Sequence, residues 1–183
     1  MNITNLVTQT SDQTGYPRWS ETLLDRSQVL VRPISKHDHE AERAFLEGLS
    51  SQARHFRFLG QVRTPSERMI KQFTEIDQAH EAAFVALVPA SSGVRIVGVS
   101  RYCADDSGNC ECAVTVADAW QDKGLGTVLM KHLIEVARAR GIHRMTSLDS
   151  VENSRMKEMA RHLGFHVRID PDDASQVIHE LEL

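Results

Sequence analysis

Hydrophobic and polar residues change rhythm several times along this chain, and each change marks an element. Gln28 to Pro33 (QVLVRP) is short, apolar and β-branched. It predicts a strand that Pro33, lacking an N–H to give to a ladder, closes or leaves at an edge. From His37 to Leu49 the apolar residues return at Ala41, Ala44, Phe45 and Leu49, the spacing of an amphipathic helix, with Ser35 ahead of it as a cap. Ser50 to Leu59 repeats that spacing with Ala53, Phe56 and Leu59, with Arg54 and Arg57 between them, and Gly60 breaks it. Thr64-Pro65-Ser66-Glu67 reads as a helix start, with Thr64 as the cap and Glu67 three residues on. Met69, Ile70, Phe73 and Ile76 supply the buried stripe of that helix.

The rhythm then shortens. Ala82 to Val88 and Val94 to Tyr102 are strand-like runs, and Cys110 to Val116 follows a turn-rich segment, Asp105 to Asn109. Together they predict a meander of three antiparallel strands. Gly124 to Arg140 is a strong helix with Leu125, Val128, Leu129, His132, Leu133, Val136 and Ala137 on one face, and Gly141 ends it. A strand over His143 to Leu148, a helix over Asn153 to Leu163, a strand from Gly164 to about Ile169 and a last strand over Gln176 to Leu181 complete the pattern. This order predicts an α/β fold of the α+β type, with a mixed, mostly antiparallel central sheet and helices on both faces.

Length and composition agree with one compact unit. The chain has 183 residues, 41% of them hydrophobic and 25% charged, enough for a sizeable core without disulfides. Residues 1–19 are polar and predict a flexible tail ahead of a single domain over 20–183. That segment has no apolar region of the kind a secretory signal needs, and no stretch approaches the roughly 20 apolar residues that span a bilayer, so a cytoplasmic protein is expected. A net charge of −4 gives no general attraction to nucleic acid. Cys103, Cys110 and Cys112 are odd in number and lack zinc-site spacing; they read as small strand residues, some buried, and no metal is expected. The composition does not separate a monomer from a homodimer.

The chemistry concentrates at Val114 to Thr127 (VTVADAWQDKGLGT). A strand runs out there, and a loop holding Gln121, Gly124 and Gly126 leads straight into the long helix. Helix N-termini carry unpaired N–H groups and partial positive charge, and glycines let an anion approach that backbone closely. Lys123 adds a cation, so the segment suits a phosphate or pyrophosphate. Two glycines by themselves also fit a tight turn with close packing. A Gly-x-x-x-x-Gly-Lys-Ser/Thr phosphate loop and a Gly-x-Gly-x-x-Gly after a first strand are both lacking, which disfavours kinases and dehydrogenases.

Gln121-Asp122-Lys123-Gly124-Leu125-Gly126 resembles the Gln/Arg-x-x-Gly-x-Gly/Ala pattern of the GNAT superfamily of N-acetyltransferases. Asn153, followed twelve residues later by Phe165 in Leu163-Gly164-Phe165, is similar to that family's closing motif. Val31-Arg32-Pro33-Ile34, Phe56-Arg57-Phe58, Phe73 to Asp77 and Cys110 to Val114 look more specifically like the catalytic domain of bacterial protein lysine acetyltransferases that modify acyl-CoA synthetases. The resemblance runs from about Gln28 to Leu183 and implies a GNAT fold, with acetyl-CoA as the cosubstrate.

It also implies roles. Glu111 matches the glutamate used as general base, which a lysine acceptor with a pKa of about 10.4 requires. Its neighbours Cys110, Cys112 and Ala113 are apolar, a setting that would desolvate a carboxylate; a solvent-facing strand carboxylate paired with a nearby base is the ordinary alternative. Val114, Thr115 and Val116 match the strand whose backbone meets the pantetheine arm. Gln121, Asp122, Lys123, Gly124, Leu125, Gly126 and Thr127 match the pyrophosphate loop, and Asn153 the pantetheine contact. Many family members carry a tyrosine seven residues after that asparagine, where it protonates the leaving thiolate. Here Ala160 takes the place, which leaves the general acid unassigned. The remaining histidines are scattered and none is assigned to catalysis. The expected function is acetyl transfer to a protein lysine. The alternatives are a small amine, such as a polyamine, amino acid or aminoglycoside, or a non-catalytic acetyl-CoA sensor.

Overall fold

The computed structural model describes residues 18–183 apart from 61, 63 and 92. The elements run β1 Trp19–Thr22, β2 Gln28–Pro33, a 3-10 turn at Lys36–Asp38, α1 His39–Glu47, α2 Ser51–Phe58, α3 Glu67–Thr74, β3 Glu81–Ala90, β4 Gly93–Ala104 and β5 Asn109–Val116. After a second 3-10 turn, Asp118–Trp120, come α4 Leu125–Ala139, β6 Arg144–Ser150, α5 Ser154–His162, β7 His166–Ile169 and β8 Gln176–Glu182. Most of the expected tail, residues 1–19, lies outside the described residues, but its last residue, Trp19, opens β1.

The strands form one sheet in the order β1-β2-β3-β4-β5-β6-β8-β7. Neighbours are antiparallel except β5 and β6, which run parallel. This is the mixed, mostly antiparallel sheet that the pattern predicted. Side-chain alternation along its strands separates two cores. On one face α4, with Leu125, Leu129, Met130, Leu133 and Ala137, packs with α5 against Phe84, Cys112 and Met145. On the other, α1 to α3 bring Phe45, Leu46, Leu49 and Ile70 onto Leu30, Val85, Leu87 and Ile96. Each fully buried aliphatic side chain contributes about 2 kcal/mol, so both faces are held by burial.

Two local readings change. The cap of α3 is Ser66, not Thr64: Glu67 is the first helical residue, so the Ser66 hydroxyl is the one that reaches the free amide of Met69, at 3.2 Å. The stripe of α4 is wider than expected, with Met130 and Ile134 also buried. β1 adds to this helix face: its Trp19 stacks on His132 at 4.0 Å while Glu21 binds the His132 Nε2 at 2.8 Å.

Candidate active site

The sheet is split at its parallel step. β5 and β6 pair only over Asn109–Glu111 and Arg144–Thr146, although both strands continue, to Val116 and Ser150. Beyond Glu111 the strands part into a fork, and a cavity of about 500 Å³ opens there between β5, the loop before α4, α2 and α5. Backbone alternation sets what β5 presents to the fork. The Cys110 carbonyl accepts a hydrogen bond from Thr146 Oγ1 on the β6 side at 3.3 Å. Four residues on, the N–H and C=O of Val114 therefore point the same way, into the gap. The Val116 carbonyl already accepts a bond from Gln121 Nε2, at 3.2 Å, which fastens the loop to the strand.

The loop delivers a helix N-terminus to the mouth of the fork. Gly124, the residue before α4, has φ +83°, a left-handed conformation that costs a side chain about 1–2 kcal/mol. A Cβ on Gly126 would lie 3.1 Å from Met159 Sδ and 3.7 Å from Val116 Cγ2, so the first turn of α4 is wedged between β5 and α5. The N–H groups of this turn have no intrahelical partners and suit an anion. Lys123 is held aside: its Nζ lies 3.0 Å from Asp25 and over the Trp120 ring at 4.8 Å. Asp122 pairs with Arg155 through two hydrogen bonds of 2.9 and 3.1 Å. Behind the loop, Asp118 accepts bonds from the Ser50 backbone and hydroxyl, at 2.9 and 2.6 Å, and so ties the start of α2 to the same region.

The far wall holds a carboxyl that the sequence reading missed. Asp149 on β6 lines the cavity and is only 8% exposed. Its Oδ1 accepts bonds from Asn153 Nδ2, at 2.9 Å, and from the Ser150 N–H, at 3.1 Å. Burial nevertheless dominates and pushes its pKa up to about 6. Asn153 Oδ1 accepts the Met156 N–H at 3.2 Å and caps α5. Both polar ends of Asn153 are thus engaged with the protein itself. Met145, Ser147 and Asp149 alternate inward, while Leu148, where the sequence pattern ends the strand, is exposed, so it is the fold that carries Asp149 to the cavity.

Glu111 stands where the fork closes, on the opposite face of β5 from Cys110 and Cys112. It is exposed, whereas those cysteines are buried in the core under α4 and α5. Strand neighbours point to opposite sides, so the two cysteines do not cover Glu111. On the Glu111 face lies a charged cluster. Arg57 from α2 also lines the cavity, and Arg101 sits over the Phe73 ring at 4.3 Å. Burial and the Arg101 charge lower the Arg57 pKa to about 10, while Glu42 and Glu111 oppose that shift. Glu42 itself, 2% exposed, is pushed up to about 7 by burial.

Of the residues expected at the site, Val114 to Val116, Gln121, Asp122, Gly124 to Thr127 and Asn153 come together around one cavity. Lys123 and Glu111 flank it without lining it. Ala160 is fully buried in the core and brings no polar group.

Comparison with known proteins agrees with this geometry. The sequence model of the acetyltransferase (GNAT) family matches residues 43–165. An acetyltransferase of Pseudomonas aeruginosa is 48% identical over 166 residues, covering 90% of this chain and 89% of its own. The GNAT domain of PAT from S. lividans superposes with a TM-score of 0.82 at 26% identity, over 92% of this chain and 99% of that one. The fold is also shared with yncA of Salmonella typhimurium, solved with its cofactor acetyl-CoA, at a TM-score of 0.65 and 22% identity over 86% and 95% of the two chains. No helix among the described residues is long and apolar enough to cross a membrane.

Proposed function

This chain belongs to the acetyltransferase (GNAT) family and is an acetyl-CoA-dependent N-acetyltransferase, and from that premise we propose that its acceptor is a protein lysine and its general base Glu111. The observation that carries this reading is an exposed carboxylate at the closed end of the fork. An acceptor side chain on a large partner can reach such a group without entering an enclosed pocket.

In this reading the acetyl-CoA pyrophosphate lies on the first turn of α4, held mainly by the backbone of Gln121 to Thr127. The pantetheine follows the free edge of β5 and is gripped by the backbone of Val114. The α5 start, where Asn153 holds its cap, forms the opposite wall. Glu111 takes a proton from the lysine ammonium, directly or through water, because only the neutral amine attacks the thioester. Glu81 and Glu111 flank Cys103 across the neighbouring strands, so two carboxylates border the acceptor's approach, with Arg57 and Arg101 beside them.

The test is thiol release from acetyl-CoA against a panel of protein lysines, polyamines and amino acids. Glu111→Gln should lower kcat on the protein acceptor by about 100-fold or more while leaving acetyl-CoA affinity within about twofold. Turnover confined to small amines would remove the protein-substrate reading, and an unimpaired Glu111→Gln enzyme would remove the base.

A further inference from the structure

Thioester aminolysis leaves a sulfur anion inside the protein, and Ala160, at the position where related enzymes carry a tyrosine, has no proton to give it. The fork restricts where that anion arises. A chain entering from the loop along β5 passes Val116 and then Val114, and must stop where Glu111 and Thr146 close the sheet. Counting on from the last pair, Glu111 with Thr146, the residues facing each other across the gap are Val114 and Asp149. They stand roughly 10 Å from the closure, at about 3.3 Å per residue. The thioester then lies between this pair and the closure, its sulfur on the Asp149 side and its acetyl group toward Glu111.

The other ionisable groups of the cavity are poorly suited. Asp122 is committed to Arg155, while Glu158 and His162 on α5 are exposed. Arg57 on α2 stays charged, and Cys112 across on β5 is fully shielded in the core. Asp149 differs from all of these. Its Oδ1 is anchored by Asn153 and Ser150, and its Oδ2 accepts none of the hydrogen bonds among the described residues. The carboxyl is thus fixed by one oxygen and offers the other to the cavity it lines.

We propose that Asp149 is the general acid of the transfer, giving its carboxyl proton to the sulfur as the carbon–sulfur bond breaks. The step rests on the fork being the acetyl-CoA site. The amine nitrogen bonds to the carbonyl carbon, the C–S electron pair goes to sulfur, and the Asp149 proton makes the thiol. The amine's own proton goes to the base on the opposite face, and Asp149 is recharged from solvent through the open mouth. Burial favours the neutral carboxyl that the step needs, and a bound cosubstrate deepens that burial.

Two measurements on Asp149→Asn test this. Asparagine keeps the size and neutrality of the protonated acid, so the fold is retained. Turnover of acetyl-CoA, on whichever amine the wild type accepts, should fall about 100-fold. With the selenium analogue of acetyl-CoA, whose selenolate leaves unprotonated, the deficit should shrink to a few-fold. An equal deficit on both donors, or turnover of acetyl-CoA within about threefold of wild type, overturns the proposal. The second measurement needs no acceptor. Calorimetry of CoA binding near pH 7, in buffers of different ionisation heat, should show proton uptake by the wild type that Asp149→Asn lacks; identical uptake overturns the placement. Neither readout depends on the acceptor class or on Glu111, so this proposal and the preceding one fail separately.

Discussion

Gly126→Ala puts one methyl group into the narrowest part of the loop, and its effects on folding and on binding are separable. The new Cβ would lie 3.1 Å from Met159 Sδ and 3.7 Å from Val116 Cγ2. Only the first contact is tight, and its partner is the end of a flexible side chain that can move a few tenths of an ångström. Alanine also gains up to about 0.5–1 kcal/mol over glycine within a helix. The two terms nearly cancel, so the melting temperature should stay within about 3 °C of wild type. Binding should respond differently, because the methyl stands where the pyrophosphate would approach the Gly126 amide. Losing one hydrogen bond to a charged group costs about 2 kcal/mol, which is roughly a 30-fold weaker Kd. Thermal melts alongside calorimetric titration with acetyl-CoA measure both quantities. A variant that binds acetyl-CoA within about twofold of wild type would refute the placement of the anion on this turn. One that loses several kcal/mol of stability would refute the claim that Met159 can yield.

Two further predictions concern the face of the sheet under α1 to α3. Glu42 holds its proton more tightly folded than unfolded, so the protein loses stability as pH climbs from 4.5 to about 7. Glu42→Gln, which has no proton to lose, should be the more stable protein at pH 8 by up to roughly 3 kcal/mol. The advantage should vanish by pH 4.5; denaturant melts with parallel pH slopes for the two proteins would sink this account. Asp38 is 4% exposed and binds Arg32 through two hydrogen bonds of 2.6 and 2.7 Å, as well as the Ser35 N–H at 2.8 Å. Asp38→Ala strands a largely buried guanidinium and should cost about 3 kcal/mol in urea unfolding; a loss below about 1 kcal/mol would mean that Arg32 finds solvent instead.

Most elements could be read from the chain because local rules and burial agree there. β2 coincides with the apolar run from Gln28 to Pro33, and α4 begins just after Gly124, where the glycine pattern placed it. β1 carried no such mark. Its four residues, Trp-Ser-Glu-Thr, become a strand through the Trp19 to Val31 register with β2 and the stacking of Trp19 on His132, contacts that distant residues supply. The expectation for Glu111 treated chain neighbours as surroundings; in a strand they lie on opposite faces, so Cys110 and Cys112 are buried while Glu111 meets solvent.

The sequence by itself determined the family, the order of elements and the loop that offers a helix N-terminus to an anion, because backbone chemistry follows from residue type and spacing. Only the tertiary structure decided which charges remain available there. Lys123 adjoins the loop in sequence but is held by Asp25, and Asp122 is held by Arg155. Asp149 lies outside both motifs yet is carried into the cavity because β6 runs past Leu148 and parts from β5. Pairing, parting and burial of strands are settled between segments far apart in the chain, which is why the acid facing the fork became visible only in the folded protein.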